Sequence, residues 1–259
     1  MKKVLIQIYE IQTPDEAATM IALGVDHIGS VLLNNEEWKS ALIKDTVNHV
    51  HEHGAKSSII PLFNDRDTVC RAMEYYRPDM VHFCETLVKP NHMHRYGINP
   101  DILKHLIDLQ VTIREKFSQI KIIRSIPIAP PGFAEKVPSL ELAELFEPIS
   151  DFFLTDTLLV SKKNTSNQPV DGFIGITGKI CDWDIAFKLV KNSRIPVILA
   201  GGISPENVYA GVLKVRPAGV DSCTLTNARN HNGAPVRFKK DPEKVKRLVM
   251  AAQNAEKNI

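Results

Sequence analysis

Long apolar runs are missing from this chain. Segments such as Ile195-Pro196-Val197-Ile198-Leu199-Ala200 are short, and a membrane helix needs about 20 consecutive apolar residues, so no membrane span is expected. An excess of one charge is missing too. The 259 residues carry 32 Lys plus Arg against 30 Asp plus Glu, a formal +2. That balance gives no basic footprint for nucleic acid and excludes an acidic disordered tail. Cysteine is sparse. Cys70, Cys84, Cys181 and Cys223 form no CxxC and no Cys/His pair at zinc spacing, so they are expected as free thiols rather than metal ligands. Nucleotide fingerprints are missing as well. Tyr9-Glu10-Ile11-Gln12 stand where a dinucleotide-binding fold places glycines, and there is no P-loop. The basic start Met1-Lys2-Lys3 leads into an apolar stretch that breaks at Gln7 and ends at Tyr9-Glu10. A signal peptide needs a longer apolar region and a small-residue cleavage site, so this stretch reads as a first strand and the cytoplasm is the expected location.

What is present is enough apolar residue, 44%, to fold, and a regular alternation. Val4–Tyr9 is a β-type run. Thr13-Pro14-Asp15-Glu16 opens a helix with an N-cap, a first-turn proline and a capping-box glutamate. Further strands are read at His27–Leu32, Lys56–Leu62, Met80–Cys84, Lys121–Ile126, Phe152–Thr155, Pro196–Ala200 and Gly219–Ser222. The helices between and after them are read at Trp38–His53, Asp65–Tyr76, Asp101–Phe117, Ser139–Phe146, Trp183–Lys191, Pro205–Lys214 and Asp241–Asn254. Eight strand-then-helix units in about 250 residues is the size of a (β/α)8 barrel. The expected architecture is therefore an α/β chain whose residues 1–259 form a single TIM-barrel domain, with an open doubly wound sheet as the alternative.

Barrel active sites lie at the C-terminal ends of the strands, so the loops that follow strands carry the chemistry. The long ones are Glu85–Pro100, which contains His92, His94 and Arg95, then Pro127–Pro138, then Asp156–Asp182 with its polar stretch at 161–167. The two histidines read as exposed polar residues rather than metal ligands. Gly175-Ile176-Thr177-Gly178, Gly201-Gly202 and Asp221-Ser222-Cys223-Thr224 fall where barrels hold phosphate, and glycines there let backbone N–H groups approach an anion closely. The plainer reading of Gly201-Gly202 is a tight turn. Asp156 ends an apolar strand, which aims a carboxyl into the barrel mouth; as a general acid it needs partial burial to raise its pKa. Tyr9, Glu10, Cys84, Glu85 and Arg124 also lie near strand ends, where each either faces the mouth or packs. Strand alternation sets Tyr9 against Glu10 and Cys84 against Glu85 for the inward position.

These segments resemble the phosphoribosylanthranilate isomerase family of the tryptophan pathway. Residues 199–208 look like its strand-seven signature, 175–183 its glycine-rich loop, 215–221 its strand-eight approach, 239–249 its last helix, and 13–32 its first helix and second strand. The resemblance implies an Amadori rearrangement of a ribosylamine phosphate without metal or organic cofactor. It makes Asp156 the general acid and Gly178, Gly201 and Gly202 part of the phosphate site, which Thr224 extends. The family's base is a cysteine after strand one, where this chain has Tyr9 followed by Glu10. Its histidine after strand four falls on Cys84, and its arginine after strand two has no counterpart in residues 33–38. Tyrosine, with an ordinary pKa near 10, is a poorer base than cysteine near 8.5. The base is therefore open among Tyr9, Glu10 and Cys84, and Arg124 and Asp221 are candidate substrate contacts. The expected partner is a small phosphorylated substrate, with no nucleic acid and no membrane, and the chain is a monomer or homodimer. The alternatives are a lyase or aldolase, for which Lys179 and Lys121 are weak Schiff-base candidates, or a catalytically silent phosphate binder.

Overall fold

The computed structural model describes residues 3–91, 95–160 and 168–259. His92, His94 and the polar stretch at 161–167 lie outside the described residues. Eight parallel strands close into a barrel. They are β1 (Leu5–Ile8), β2 (His27–Leu32), β3 (Lys56–Pro61), β4 (Met80–Phe83), β7 (Lys121–Ile128), β8 (Phe152–Thr157), β9 (Val197–Leu199) and β10 (Gly219–Ser222). The order is β1-β10-β9-β8-β7-β4-β3-β2, with β2 paired back to β1. The helices are α1 (Pro14–Ala22), α2 (Ala41–Glu52), α3 (Arg66–Tyr76), α4 (Pro100–Lys116), α5 (Ser139–Phe146), α6 (Trp183–Asn192), α7 (Val208–Val215) and α8 (Pro242–Glu256). Each buries an apolar stripe against the strands, such as Leu106, Leu109 and Ile113 of α4 or Val245, Leu248 and Ala252 of α8. Each fully buried Leu, Ile or Val among them is worth about 1.5–3 kcal/mol.

Side-chain caps fix most helix starts near the residues that the sequence marks. Thr13 accepts the Glu16 N–H at 3.3 Å, Asp65 accepts Thr68 N–H at 2.9 Å, and Asp182 accepts Asp184 N–H at 2.9 Å. The capping box of α1 is only half made, because the Glu16 carboxylate accepts the Lys240 N–H at 2.7 Å instead. Two helices start late. The Tyr76 hydroxyl donates to the Trp38 carbonyl and accepts from Ser40 N–H, each at 2.7 Å, so α2 begins after Ser40. Asn207 accepts Ser204 N–H and donates to the Gly202 carbonyl, both at 2.8 Å. That turn delays α7 to Val208.

Two antiparallel hairpins interrupt the alternation at the C-terminal end of the barrel. The segment read as the loop 85–100 holds β5 (Val88–Pro90) and β6 (Tyr96–Ile98), and the connection to α8 holds β11 (Asn227–Arg229) and β12 (Pro235–Lys240). The opposite end is pinned by a repeated device. Asp26, Asp79 and Asp151, each just ahead of an even member of a strand pair, accept N–H groups of the preceding neighbour: Ile6 at 2.9 Å, Ser57 at 2.8 Å and Ile122 at 2.9 Å. Each also pairs with a lysine, Lys3, Lys56 and Lys121 respectively. Among the described residues no helix is long and apolar enough to cross a membrane.

Candidate active site

A cleft opens at the C-terminal ends of the strands in two connected lobes. One spans about 550 Å³ and the other about 340 Å³ of space open to solvent, and Asp156, Ile176, Asp221 and Cys223 line both. The larger lobe is walled by Tyr9, Glu10, Val31, Ile60, His82 and Cys84 with the segment around Phe173. The smaller is walled by backbone-rich turns at Gly178, Gly201, Gly202 and Thr224.

Two carboxyls stand at the junction of the lobes. Asp156 is the inward residue at the end of β8; its Oδ1 accepts the Thr157 N–H at 2.8 Å. Burial pushes its pKa up to about 7, against the partial opposing effect of that N–H. The backbone of Gly175 lies directly over it, and a Cβ there would come within 2.5 Å of Asp156 Oδ2. Asp221, on β10, is pushed up to about 8, by burial and then by the charge of Asp156. Its Oδ1 is buried without a well-formed hydrogen bond among the described residues, and the neighbouring Gln7 amide offsets only part of the rise.

Tyr9 is a plug in the barrel floor. Its hydroxyl shares a hydrogen bond of 2.7 Å with Ser58, and its ring lies 5.1 Å from that of His82. It fills the space a side chain on Gly29 would need, since a Cβ there would be 2.0 Å from the ring. Burial holds the Tyr9 hydroxyl well above its ordinary pKa. Burial, with Glu85 and Asp156 adding to it, does the same to the Cys84 thiol. Both therefore keep their protons at neutral pH, which removes the physical basis for either as a base. His82 shares a 2.8 Å hydrogen bond with Ser125, and burial and the Arg124 charge push it down to about 3. The floor is polar but uncharged.

Neighbours expected to compete for the inward position resolve in two ways. At the end of β4, Cys84 faces the cleft and Glu85 turns away. At the end of β1 both Tyr9 and Glu10 line it, because Glu10 has φ +65° and breaks the strand alternation. Arg237 of β12 donates to Glu10 Oε1 at 2.6 Å and Asn227 to its Oε2 at 3.3 Å, so both oxygens are engaged. Arg124 does not reach the mouth. It is fully buried on the outer side of the barrel wall, donating to Glu85 at 2.6 Å and Gln110 at 3.0 Å and lying over the Phe83 and Phe146 rings. Of the two lysines considered for Schiff-base chemistry, Lys121 pairs with Asp151 at the opposite barrel end and Lys179 is exposed.

The glycines line the smaller lobe, yet their first constraint is internal. Gly201 and Gly202 have φ +79° and +68°, a conformation that disfavours any side chain. A Cβ at Gly201 would lie 2.6 Å from Thr157 Oγ1, and one at Gly202 2.5 Å from the Lys179 carbonyl carbon. The tight-turn reading thus explains why glycine is required, and the result is a lobe wall made largely of main chain. The loop is held in place as Thr157 donates to the Lys179 carbonyl at 2.6 Å.

The sequence reading missed Ser58, His82 and Ser125, although a polar residue inside an otherwise apolar strand is the signal for them. Arg237 and Asn227 had no such signal, because only the hairpin brings them to Glu10. Among the described residues one cluster could hold a metal. His49, Glu52 and His53 bring ligand atoms within 4.8 Å of one another at the exposed end of α2, on the barrel's other end.

A family model described as N-(5'-phosphoribosyl)anthranilate (PRA) isomerase matches residues 138–250. Over that segment the chain is similar to the phosphoribosylanthranilate isomerase family. It is 35% identical over 148 residues to N-(5'-phosphoribosyl)anthranilate isomerase 2 of Methanosarcina mazei, a match spanning 57% of this chain and only 56% of that relative. The similarity to the Methanopyrus kandleri isomerase is 28% over 252 residues, covering 97% and 99% of the two chains. Among solved structures, a monomeric variant of the dimeric isomerase from Thermotoga maritima superposes with a TM-score of 0.66 at 18% identity, covering 97% and 100%. A thiamine phosphate pyrophosphorylase from Pyrococcus furiosus also superposes, at 0.58 and 16%. The structural likenesses establish the (β/α)8 fold, and the sequence matches show a likeness to phosphoribosylanthranilate isomerases.

Proposed function

We propose that the cleft isomerises an N-substituted, phosphorylated ribosylamine to the corresponding aminoketose by an Amadori rearrangement. The observation that carries this reading is the pair Asp156 and Asp221 at the junction of a main-chain-walled lobe and an apolar lobe. The phosphate sits against Gly178, Gly201, Gly202 and Thr224. Asp156 gives a proton to the ring oxygen as the C1–O bond breaks and the nitrogen lone pair forms C=N. A base then takes the C2 proton to give the enolamine. Tautomerisation returns a proton to C1 and leaves the ketone at C2. C1 is reduced and C2 oxidised within one molecule, so the electrons balance without an external acceptor.

Asp221 is the base. Tyr9 and Cys84 hold their protons, both oxygens of Glu10 are engaged, and Asp221 keeps at the junction a buried oxygen without a well-formed hydrogen bond among the described residues. Burial of both carboxyls, with the charge of Asp156 acting on Asp221, lets the pair share a single proton near neutrality, and the reacting form is the one in which that proton sits on Asp156. The resemblance gives Asp156 the donor's part. The sequence likeness to isomerases supports the reaction class, as does the fold shared with an isomerase solved in complex with reduced 1-(o-carboxyphenylamino)-1-deoxyribulose 5-phosphate.

The test is conversion of phosphoribosylamine conjugates, aryl and carboxyaryl, followed as ketose formation with purified protein. Turnover should peak between about pH 7 and about pH 8, the values to which the pair is shifted. It should fall at least about a hundredfold in Asp156→Asn and in Asp221→Asn. Ketose formation by either variant at the parent rate would refute the assignment of the pair.

A further inference from the structure

The larger lobe specifies what the substrate's nitrogen carries. In a pentose 5-phosphate the phosphate and C1 are at opposite ends, and the bonds that change in the proposed reaction lie between them. With phosphate in the smaller lobe and the reacting atoms at Asp156 and Asp221, the group on the C1 nitrogen projects into the larger lobe. That lobe is walled by Val31, Ile60, Leu62, Leu154, Val170 and Phe173.

The lining groups that can carry charge, among the described residues, are carboxyls: Glu10, and Asp156 with Asp221, which share one proton near neutrality. His82 on its floor stays neutral. Arg237, which reaches this rim, is already paired with Glu10. A carboxylate moved from water into such surroundings loses hydration and meets like charge, and none of the described lining residues is a cation that would return that energy. An uncharged apolar group loses little and buries area against the aliphatic wall.

The geometry points to a substrate whose ribosylamine nitrogen bears an uncharged, apolar substituent, not a carboxylated aromatic ring. This rests on the reading of the cleft given above and names the substrate class for that site.

The test is titration calorimetry of the full chain at pH 7.5 with three probes. They are reduced 1-(o-carboxyphenylamino)-1-deoxyribulose 5-phosphate, the same compound lacking the carboxylate, and ribulose 5-phosphate. The compound without the carboxylate is expected to bind at least tenfold tighter than the other two. Equal or tighter binding of the carboxylated compound would overturn the inference and leave the isomerase reading standing. Ribulose 5-phosphate binding as tightly as the phenylamino compound would show that the larger lobe does not receive the substituent, which also overturns it. Binding of none of the three would overturn the reading of the cleft itself. A cation added to the lobe by Leu62→Arg should reverse the preference between the two aryl compounds. Retention of the parent preference in a folded Leu62→Arg protein counts against the inference.

Discussion

The two ends of this barrel treat the same residue type in opposite ways. At the N-terminal end Asp26, Asp79 and Asp151 each accept a neighbouring strand's N–H and pair with a lysine. Asp79 shows the balance. Burial pushes its carboxyl up, but Lys56 and the Ser57 N–H outweigh that and hold it below the usual carboxylate range. At the mouth Asp156 and Asp221 are buried beside each other, and their pKa values move the other way. Partnered carboxylates tie strands together, whereas poorly partnered ones hold protons that chemistry can use. The contrast is the division between a stabilising end and a reactive end expected of this fold.

The largest expected effect tests the reactive end. Asp156→Asn keeps the shape but removes the proton, so kcat should fall about 10²–10⁴-fold. Affinity for a phosphorylated ketose analogue should stay within a few fold, because the main-chain lobe is unchanged. Steady-state kinetics alongside calorimetry separates the two, and a matching loss of affinity would show that Asp156 binds rather than reacts.

Next in size is the ion pair that lies between the two ends. Glu85→Ala leaves Arg124 buried without its carboxylate, at a cost of about 3–5 kcal/mol in urea unfolding. The double variant Glu85→Leu with Arg124→Met should recover most of that loss, since an apolar pair of similar volume replaces a desolvated ionic one. If the double variant is as unstable as the single, the pair contributes more than its own neutralisation.

The N-terminal device is tested by Asp79→Ala, which strands the Ser57 N–H and should cost about 1–3 kcal/mol at pH 7. Because the folded-state pKa of Asp79 is depressed, its contribution is present above the unfolded value near 3.9 and is lost as pH falls through the folded one. The stability gap between parent and variant should therefore close in acid. A gap of constant size from pH 7 to pH 3 would mean that the carboxylate's charge is irrelevant there.

The smallest effect carries the opposite sign. The folded-state pKa of Asp221 is raised, so its contribution is present below about 3.9 and is lost as pH rises to the folded value of about 8. Asp221→Asn should raise Tm relative to the parent at pH 8, with little gain at pH 4. Thermal melts across that range check it, and a pH-independent difference would erase the contrast between the two ends.

Much of the fold was legible in the chain, because it is written locally. The periodicities, the caps Thr13, Asp65 and Asp182, and the turn glycines act through neighbours a few residues away. The eight units and their order followed from them. Helix starts at Ala41 and Val208 were misplaced, since Tyr76 and Asn207 compete for the backbone groups involved. The two hairpins were unread because short strands with polar faces resemble loops.

The site was legible by type and position but not by direction. Asp156, Asp221, Gly178, Gly201, Gly202 and Thr224 fall on strand ends and turns that the sequence marks, and all of them line the cleft. The sequence by itself determined the barrel, its mouth and the family likeness, because alternation and motif spacing are properties of contiguous residues. Only the tertiary structure decided that Glu10 joins Tyr9 at the cleft, that Arg124 turns outward to Glu85, and that Arg237 and Asn227 hold Glu10. A side chain's direction at a strand end depends on one φ angle and on what distant segments bring beside it, and neither is encoded in spacing.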